Sequence, residues 1–141
     1  MKKAAGIFFT DGKKVLLLKR AENGPNKGTW CLPGGHVEKG ESFLEGAIRE
    51  SKEECGKCLG TKFEKLKEES ETYYWTSFFF KISKPFNCKL SKEHSDWHWF
   101  DFDELNKINL HPKLKNNLDK HLDIVKKYFS KKLNFKEWLY K

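Results

Sequence analysis

The apolar positions of the chain change period several times, and each change marks an element. Residues 4–9 and 13–19 are short, nearly continuous apolar runs on either side of Thr10-Asp11-Gly12. Asp-Gly between two such runs predicts a β-hairpin with a tight turn. Asn23-Gly24-Pro25-Asn26-Lys27-Gly28 is turn chemistry throughout and predicts a loop leading into the short apolar piece 29–32, after which Pro33-Gly34-Gly35 forces a further turn. Ser42 followed three residues later by Glu45 is a capping box, so a helix is predicted over 43–55 with Gly56 as its stop. Residues 72–82 are rich in Tyr, Trp, Thr and Phe and predict a long strand, with a weaker one over 62–69 before it and a third over 97–102. Asp103-Glu104-Leu105 opens a short helix. Leu114, Leu118, Leu122, Val125 and Phe129 keep helical spacing through a second long helix, and 134–140 adds a final turn. The mixture reads as one α/β domain over 1–141, without repeats or linkers.

Composition narrows the class. A chain of 141 residues with 38% hydrophobic and 15% aromatic content holds enough apolar volume for a core, which excludes a disordered basic tail. No apolar run approaches the ~18 residues of a membrane span. Lys2 and Lys3 precede only a short apolar stretch, unlike a signal peptide. The expectation is a soluble, cytoplasmic protein with no membrane partner. Its net charge of +8 invites a nucleic-acid surface, but the lysines are dispersed and form no Arg-rich block. Arginine occurs only as Arg20 and Arg49, positions where a planar, bidentate donor does what lysine cannot. Cys55 and Cys58 form a CxxC without the second pair of a structural zinc site, and at the end of a helix rather than its start.

On the predicted helix, a 100° step per residue brings Glu50, Glu53 and Glu54 into one acidic face, while Phe43, Ala47, Ile48 and Ser51 turn toward the core. Like charges at this spacing destabilise a bare helix. A divalent cation would compensate them, since Mg²⁺ takes oxygen ligands from a few carboxylates and keeps positions for substrate phosphates. A solvated acidic face balanced by Arg49 and Lys57 is the alternative.

The flanking residues add to the pattern. Gly35, Glu41, Arg49-Glu50, Glu53-Glu54 and Gly56 stand at the spacing G-x5-E-x7-R-E-U-x-E-E-x-G-U, where U is aliphatic. This resembles the signature of the Nudix hydrolases, and Leu32-Pro33-Gly34-Gly35-His36-Val37-Glu38 is similar to the approach to that box in MutT-like members. Ser51 and Lys57 depart from the pattern at the two U positions, which affects packing and not metal ligation.

The resemblance implies the Nudix fold, an α/β/α sandwich around a mixed β-sheet. It implies a Mg²⁺-dependent pyrophosphohydrolase, with Mn²⁺ able to substitute, cleaving a phosphoanhydride in a nucleoside diphosphate linked to another group. Metal ligands map onto Glu50, Glu53 and Glu54, the Gly34 carbonyl and, from the loop before the last strand, Glu93 in preference to Asp96. Glu53 is the first candidate for general base, with Glu50 or an acid outside the box as rivals; Arg49 orients a ligating glutamate and Glu41 supports Arg49. Arg20, Gly35 and Trp30 are the candidate substrate contacts. Asn116 and Asn117 could read a base edge, although a solvated helical face is the plainer reading, and the five histidines show no metal-ligand spacing. The leading substrate is a nucleoside triphosphate, giving nucleoside monophosphate and pyrophosphate. Dinucleoside polyphosphates and RNA 5′ ends or caps are alternatives, RNA being the less favoured partner, and a non-catalytic nucleotide-binding domain is the reading from another class. Monomer and homodimer both remain open.

Overall fold

The computed structural model describes residues 1–128. At its centre lies β1 (Lys2–Thr10), parallel to β6 (Tyr73–Lys81) along its whole length, with β5 (Thr61–Glu69) antiparallel outside β6. The other edge of β1 is shared. Its first half pairs with β4 (Gly34–His36), and its last residue meets β2 (Lys14–Arg20) at Thr10 and Val15. β2 in turn carries β3 (Trp30–Cys31) and β7 (His94–Asp101). The sheet is mixed, as expected, with helices on both faces.

Two apolar layers explain why β1 and β2 read as unbroken hydrophobic runs instead of alternating ones. Ala5, Ile7, Phe9, Leu16 and Leu18 pack on one face against α1 (Phe43–Cys55) through Ala47 and Cys55. Phe8, Val15, Leu17 and Phe79 pack on the other against Leu105 of a 3₁₀ turn (Phe102–Lys107), α2 (Pro112–Lys120) and α3 (Leu122–Tyr128). Phe8 and Phe79 stack with ring centroids 4.6 Å apart.

Helix α1 has the predicted ends. The Ser42 hydroxyl accepts from Glu45 N–H, the Glu45 carboxylate accepts from Ser42 N–H, and Gly56 closes the helix at φ 79°. Ser51, at an aliphatic position of the box, is buried because its hydroxyl donates to the Lys57 carbonyl at 2.6 Å and ties down the exit loop. Lys57, the second departure, lies over the Phe86 ring at 5.9 Å.

The expected hairpin is the main difference from the sequence reading. Lys13 and Lys14 N–H groups both donate to Asp11 Oδ1 in the turn, yet β1 and β2 part after a single register pair. Backbone pairing to β4 and β7 takes the edges that a hairpin would have used. Gly34 and Gly35 accordingly lie in a strand. The second long helix divides at His121, whose backbone leaves helical geometry and lets α3 bury Val125 against the sheet. The expected turn over 134–140 and the position of Phe129 lie outside the described residues. Among the described residues no helix is long and apolar enough to cross a membrane.

Candidate active site

Helix α1 presents Arg49, Glu50, Glu53 and Glu54 beside β4, and Arg49 holds this end of the molecule together. Its Nε and Nη2 donate to the two oxygens of Glu41 at 2.8 and 3.1 Å, a bidentate pair, and Nη2 also donates to the His36 carbonyl at 2.9 Å. Nη1 reaches Glu50 at 3.0 Å and Glu53 at 3.2 Å. Lysine has neither the plane nor the donors for this arrangement. The Arg49 hydrogen bond holds the Glu41 carboxyl below the usual carboxylate range, and Glu41 in return raises the arginine further.

The acidic face differs from the expected one in a way that matters for chemistry. Glu50 is half-buried and Glu53 exposed, but Glu54 is turned inward at 4% exposure. Four residues beyond Glu50, it falls where the helix faces β4, and the Gly34 N–H donates to its Oε1 at 2.7 Å. Burial pushes the Glu54 carboxyl up to about 9, with the Gly34 hydrogen bond opposing and the charges of Glu50 and Glu93 adding. Burial also raises Glu50. A buried carboxylate crowded by two others is costly unless a positive charge joins it. This oxygen-rich donor set fits a divalent cation.

Glu93 joins the cluster from the loop before β7. Its segment is anchored to the end of α1 by Ser91 N–H donating to the Glu54 carbonyl at 3.1 Å, and Ala21 N–H donates to the Glu93 carbonyl at 3.0 Å. Ligand atoms of Glu54, Glu93 and His94 all lie within 4.8 Å of one another; Asp96 is not of that group. His94, which no ligand spacing singles out in the sequence, places Nε2 3.5 Å from Glu54 Oε2 and 3.6 Å from Cys31 Sγ. Burial lowers the imidazole to about 4, so it is neutral near pH 7. Sequence spacing could not reveal this contact, because forty residues separate Glu54 from His94.

Both glycines of β4 are required by close approach. A Cβ on Gly34 would collide with the Ala5 carbonyl, and one on Gly35 would come within 2.6 Å of the Glu50 carboxyl carbon. Gly34 and Gly35 also line a cleft of about 170 Å³ between β4, β6 and α2. Arg20 lines it too, with its Nε donating to the Pro25 carbonyl at 3.0 Å. Trp30 lies elsewhere: its ring meets Phe100 edge-on at 4.9 Å, and it is not among the residues lining the cleft. The aromatic rings that do line it are Tyr73 and Trp75, the latter fixed by an indole N–H that donates to Ser77 Oγ at 2.7 Å.

The family model of the NUDIX domain matches residues 1–122. The chain belongs to the Nudix family. A bis(5′-nucleosyl)-tetraphosphatase [asymmetrical] of Caenorhabditis elegans is 33% identical over 120 residues, which cover 75% of this chain and 83% of the relative. An ADP-ribose pyrophosphatase of Methanocaldococcus jannaschii is 53% identical over 51 residues, a stretch that covers 36% of this chain and 29% of that one. Among solved structures, a C. elegans Ap4A hydrolase matches with TM-score 0.66 at 28% identity over 89% of this chain and 98% of that one. A Nudix hydrolase from M. smegmatis, RenU, matches with TM-score 0.76 at 20% identity over 87% and 84%.

As a Nudix member with relatives named as pyrophosphatases and hydrolases, the protein is an enzyme acting on pyrophosphate bonds. Three features escaped sequence reasoning. The inward turn of Glu54 and the approach of His94 depend on tertiary packing. Asn117, expected on a solvated face, is 2% exposed and lines the cleft; Asn116 is the exposed neighbour.

Proposed function

We propose that the protein is a divalent-metal-dependent hydrolase of nucleoside polyphosphates, with the nucleoside in the cleft and the phosphate chain laid over Gly34 and Gly35 toward the α1 carboxylates. One observation carries the reading: the cleft and the carboxylate cluster share the two glycines, which line the cleft while the Gly34 N–H donates to Glu54 and the Gly35 backbone packs directly against the Glu50 carboxylate. Glu50, Glu54 and Glu93 would hold the metal, with Glu53 beside them and the Gly34 carbonyl on the loop side. Mg²⁺ suits these oxygen donors and Mn²⁺ can replace it. When bound, the cation offsets charge on the phosphoryl oxygens and lowers the pKa of an attacking water. Glu53, exposed and held by Arg49, accepts the proton of that water. Arg49 keeps Glu50 and Glu53 aimed at the same point, Glu41 keeps Arg49 in place, and Arg20 faces the substrate from the other side of the cleft.

Of the nucleoside polyphosphates, a triphosphate cleaved to monophosphate and pyrophosphate is the first reading. A dinucleoside tetraphosphate is the second, favoured by the length and identity shared with the C. elegans tetraphosphatase; a single cleft for one base leaves the other nucleoside on the open side. Product identification separates them. The first gives monophosphate and pyrophosphate, the second monophosphate and triphosphate. Glu53→Gln should lower either rate by about 10²- to 10⁴-fold, the usual worth of a general base. Retention of full activity in this variant would remove Glu53 from the role.

A further inference from the structure

The cleft contains two buried polar side chains that the protein leaves without hydrogen-bond partners. Asn117 of α2 is 2% exposed, and neither its amide oxygen nor its amide nitrogen is paired. Glu68 of β5 is 9% exposed, and its Oε1 is unpaired. His121 Nε2 lies 3.3 Å from that oxygen, an ion pair when the imidazole is protonated, but neither atom makes a hydrogen bond. Both Glu68 and Asn117 line the cleft, among the apolar surfaces of Leu32, Leu114, Tyr73 and Trp75. A buried polar group without a partner has given up its hydration for nothing in return. An amide unpaired at both ends, in the wall of a cavity that the Glu68 carboxylate also lines, points to a ligand that pairs them.

The donor and acceptor inventory specifies that ligand. The Asn117 amide offers one acceptor and one donor group, while a Glu68 carboxylate only accepts. The complement is a flat edge with a donor and an acceptor side by side for the amide, and a further donor for the carboxylate. A cavity of roughly 150 Å³ can hold an aromatic ring, and this one is about 170 Å³ and open toward the phosphate path. Bases with an exocyclic amino group meet the requirement: adenine, guanine and cytosine place an NH₂ beside ring or carbonyl acceptors. Their deaminated counterparts, hypoxanthine, xanthine and uracil, present a carbonyl where the amino group stood. That carbonyl would oppose the carboxylate, acceptor against acceptor.

We propose that Glu68 and Asn117 form a base-reading pair that selects nucleotides carrying an exocyclic amino group over their oxo analogues. The inference rests on the cleft being the nucleoside site of the hydrolase reading above. Sites that hydrogen-bond a substrate group reject analogues lacking it far more strongly than apolar pockets do, because their own polar groups are left unpaired.

The test uses ATP against ITP, GTP against XTP, and CTP against UTP with the wild-type protein and Mg²⁺, together with calorimetric binding of the same nucleotides to Glu53→Gln. The best substrate should carry an amino group and exceed its oxo analogue at least about tenfold in kcat/KM, with the same order in binding. Glu68→Gln, which adds a donor at the same place, should reduce that ratio at least about fivefold by improving the oxo member. Asn117→Leu, of similar volume, should weaken binding of the preferred base without lowering thermal stability. Equal treatment of each amino and oxo pair, or a ratio unchanged in Glu68→Gln, overturns the pair. If no nucleotide is hydrolysed, the hydrolase reading fails by itself, and binding to Glu53→Gln still decides the base preference.

Discussion

Glu54 shows how one side chain can link the fold to the chemistry. Its carboxyl is raised to about 9 chiefly by burial, whereas in the unfolded chain it titrates in the ordinary carboxylate range. In metal-free protein the folded state therefore keeps this proton across a window in which the unfolded state has lost it. Stability contributed by the protonated group is full below about pH 4.5 and falls as pH rises toward 9. The melting temperature in chelator should decline over that window, and Glu54→Gln, which cannot ionise, should flatten the decline. Added Mg²⁺ should raise the melting temperature most at the alkaline end, because a cation competes with the proton for the same oxygens. A wild-type profile no steeper than that of Glu54→Gln would contradict this account. Gly35 offers a second test. Its replacement by Ala places a Cβ within 2.6 Å of the Glu50 carboxyl carbon, and a displaced ligand of about 1 Å is worth on the order of 10²-fold in rate. Hydrolysis by Gly35→Ala should fall by that order while the far-ultraviolet spectrum stays native.

At the scale of elements, helix α1 was the most legible part of the chain. Ser42, Glu45 and Gly56 are local signals, and local hydrogen bonds execute them within a few residues. The spacing that aligned Arg49 with Glu50 and Glu53 is likewise a property of one helix. The departures come where partners distant in sequence compete for an edge. Asp11-Gly12 makes its turn, but β4 and β7 claim the strands on either side. The uniform leucine spacing after Leu114 carried no sign of the break at His121. Strand β5 hides Glu68 among alternating charges, so nothing in its pattern separates a buried carboxylate from exposed ones. Because the Ser42 cap is exposed and distant from the carboxylates in its chemistry, Ser42→Ala should cost about 1 kcal/mol of stability and leave kcat unchanged. Arg49→Lys should behave in the opposite manner: lysine cannot span Glu41, Glu50 and Glu53 together, so kcat should fall at least tenfold, as steady-state kinetics can show.

The whole molecule carries a net charge of +8, while its candidate centre gathers Glu50, Glu53, Glu54 and Glu93. Under the proposed function the excess lysine would attract a polyphosphate, and a cation at the acidic centre would offset the repulsion between the carboxylates and that polyphosphate. Long-range attraction of this kind is screened by salt. Raising ionic strength should therefore lower kcat/KM through KM, with kcat little affected; a salt-independent KM would remove the lysine surface from substrate capture. The family was readable from the chain because its signature is local, and its general chemistry follows from that signature. Base preference was not, since it depends on Glu68 and Asn117 being brought from β5 and α2 to one cleft.

Whether the protein is a metal-dependent nucleoside polyphosphate hydrolase is decided by product identification by ion-exchange chromatography after incubating nucleoside triphosphates and dinucleoside tetraphosphates with the protein, with and without Mg²⁺, alongside Glu53→Gln. Release of a nucleoside monophosphate with pyrophosphate or with a nucleoside triphosphate, abolished by chelator and reduced about 10²-fold or more in the variant, is the predicted result. Intact substrates after incubation with folded, Mg²⁺-supplemented protein, or equal turnover by wild type and Glu53→Gln, would contradict it.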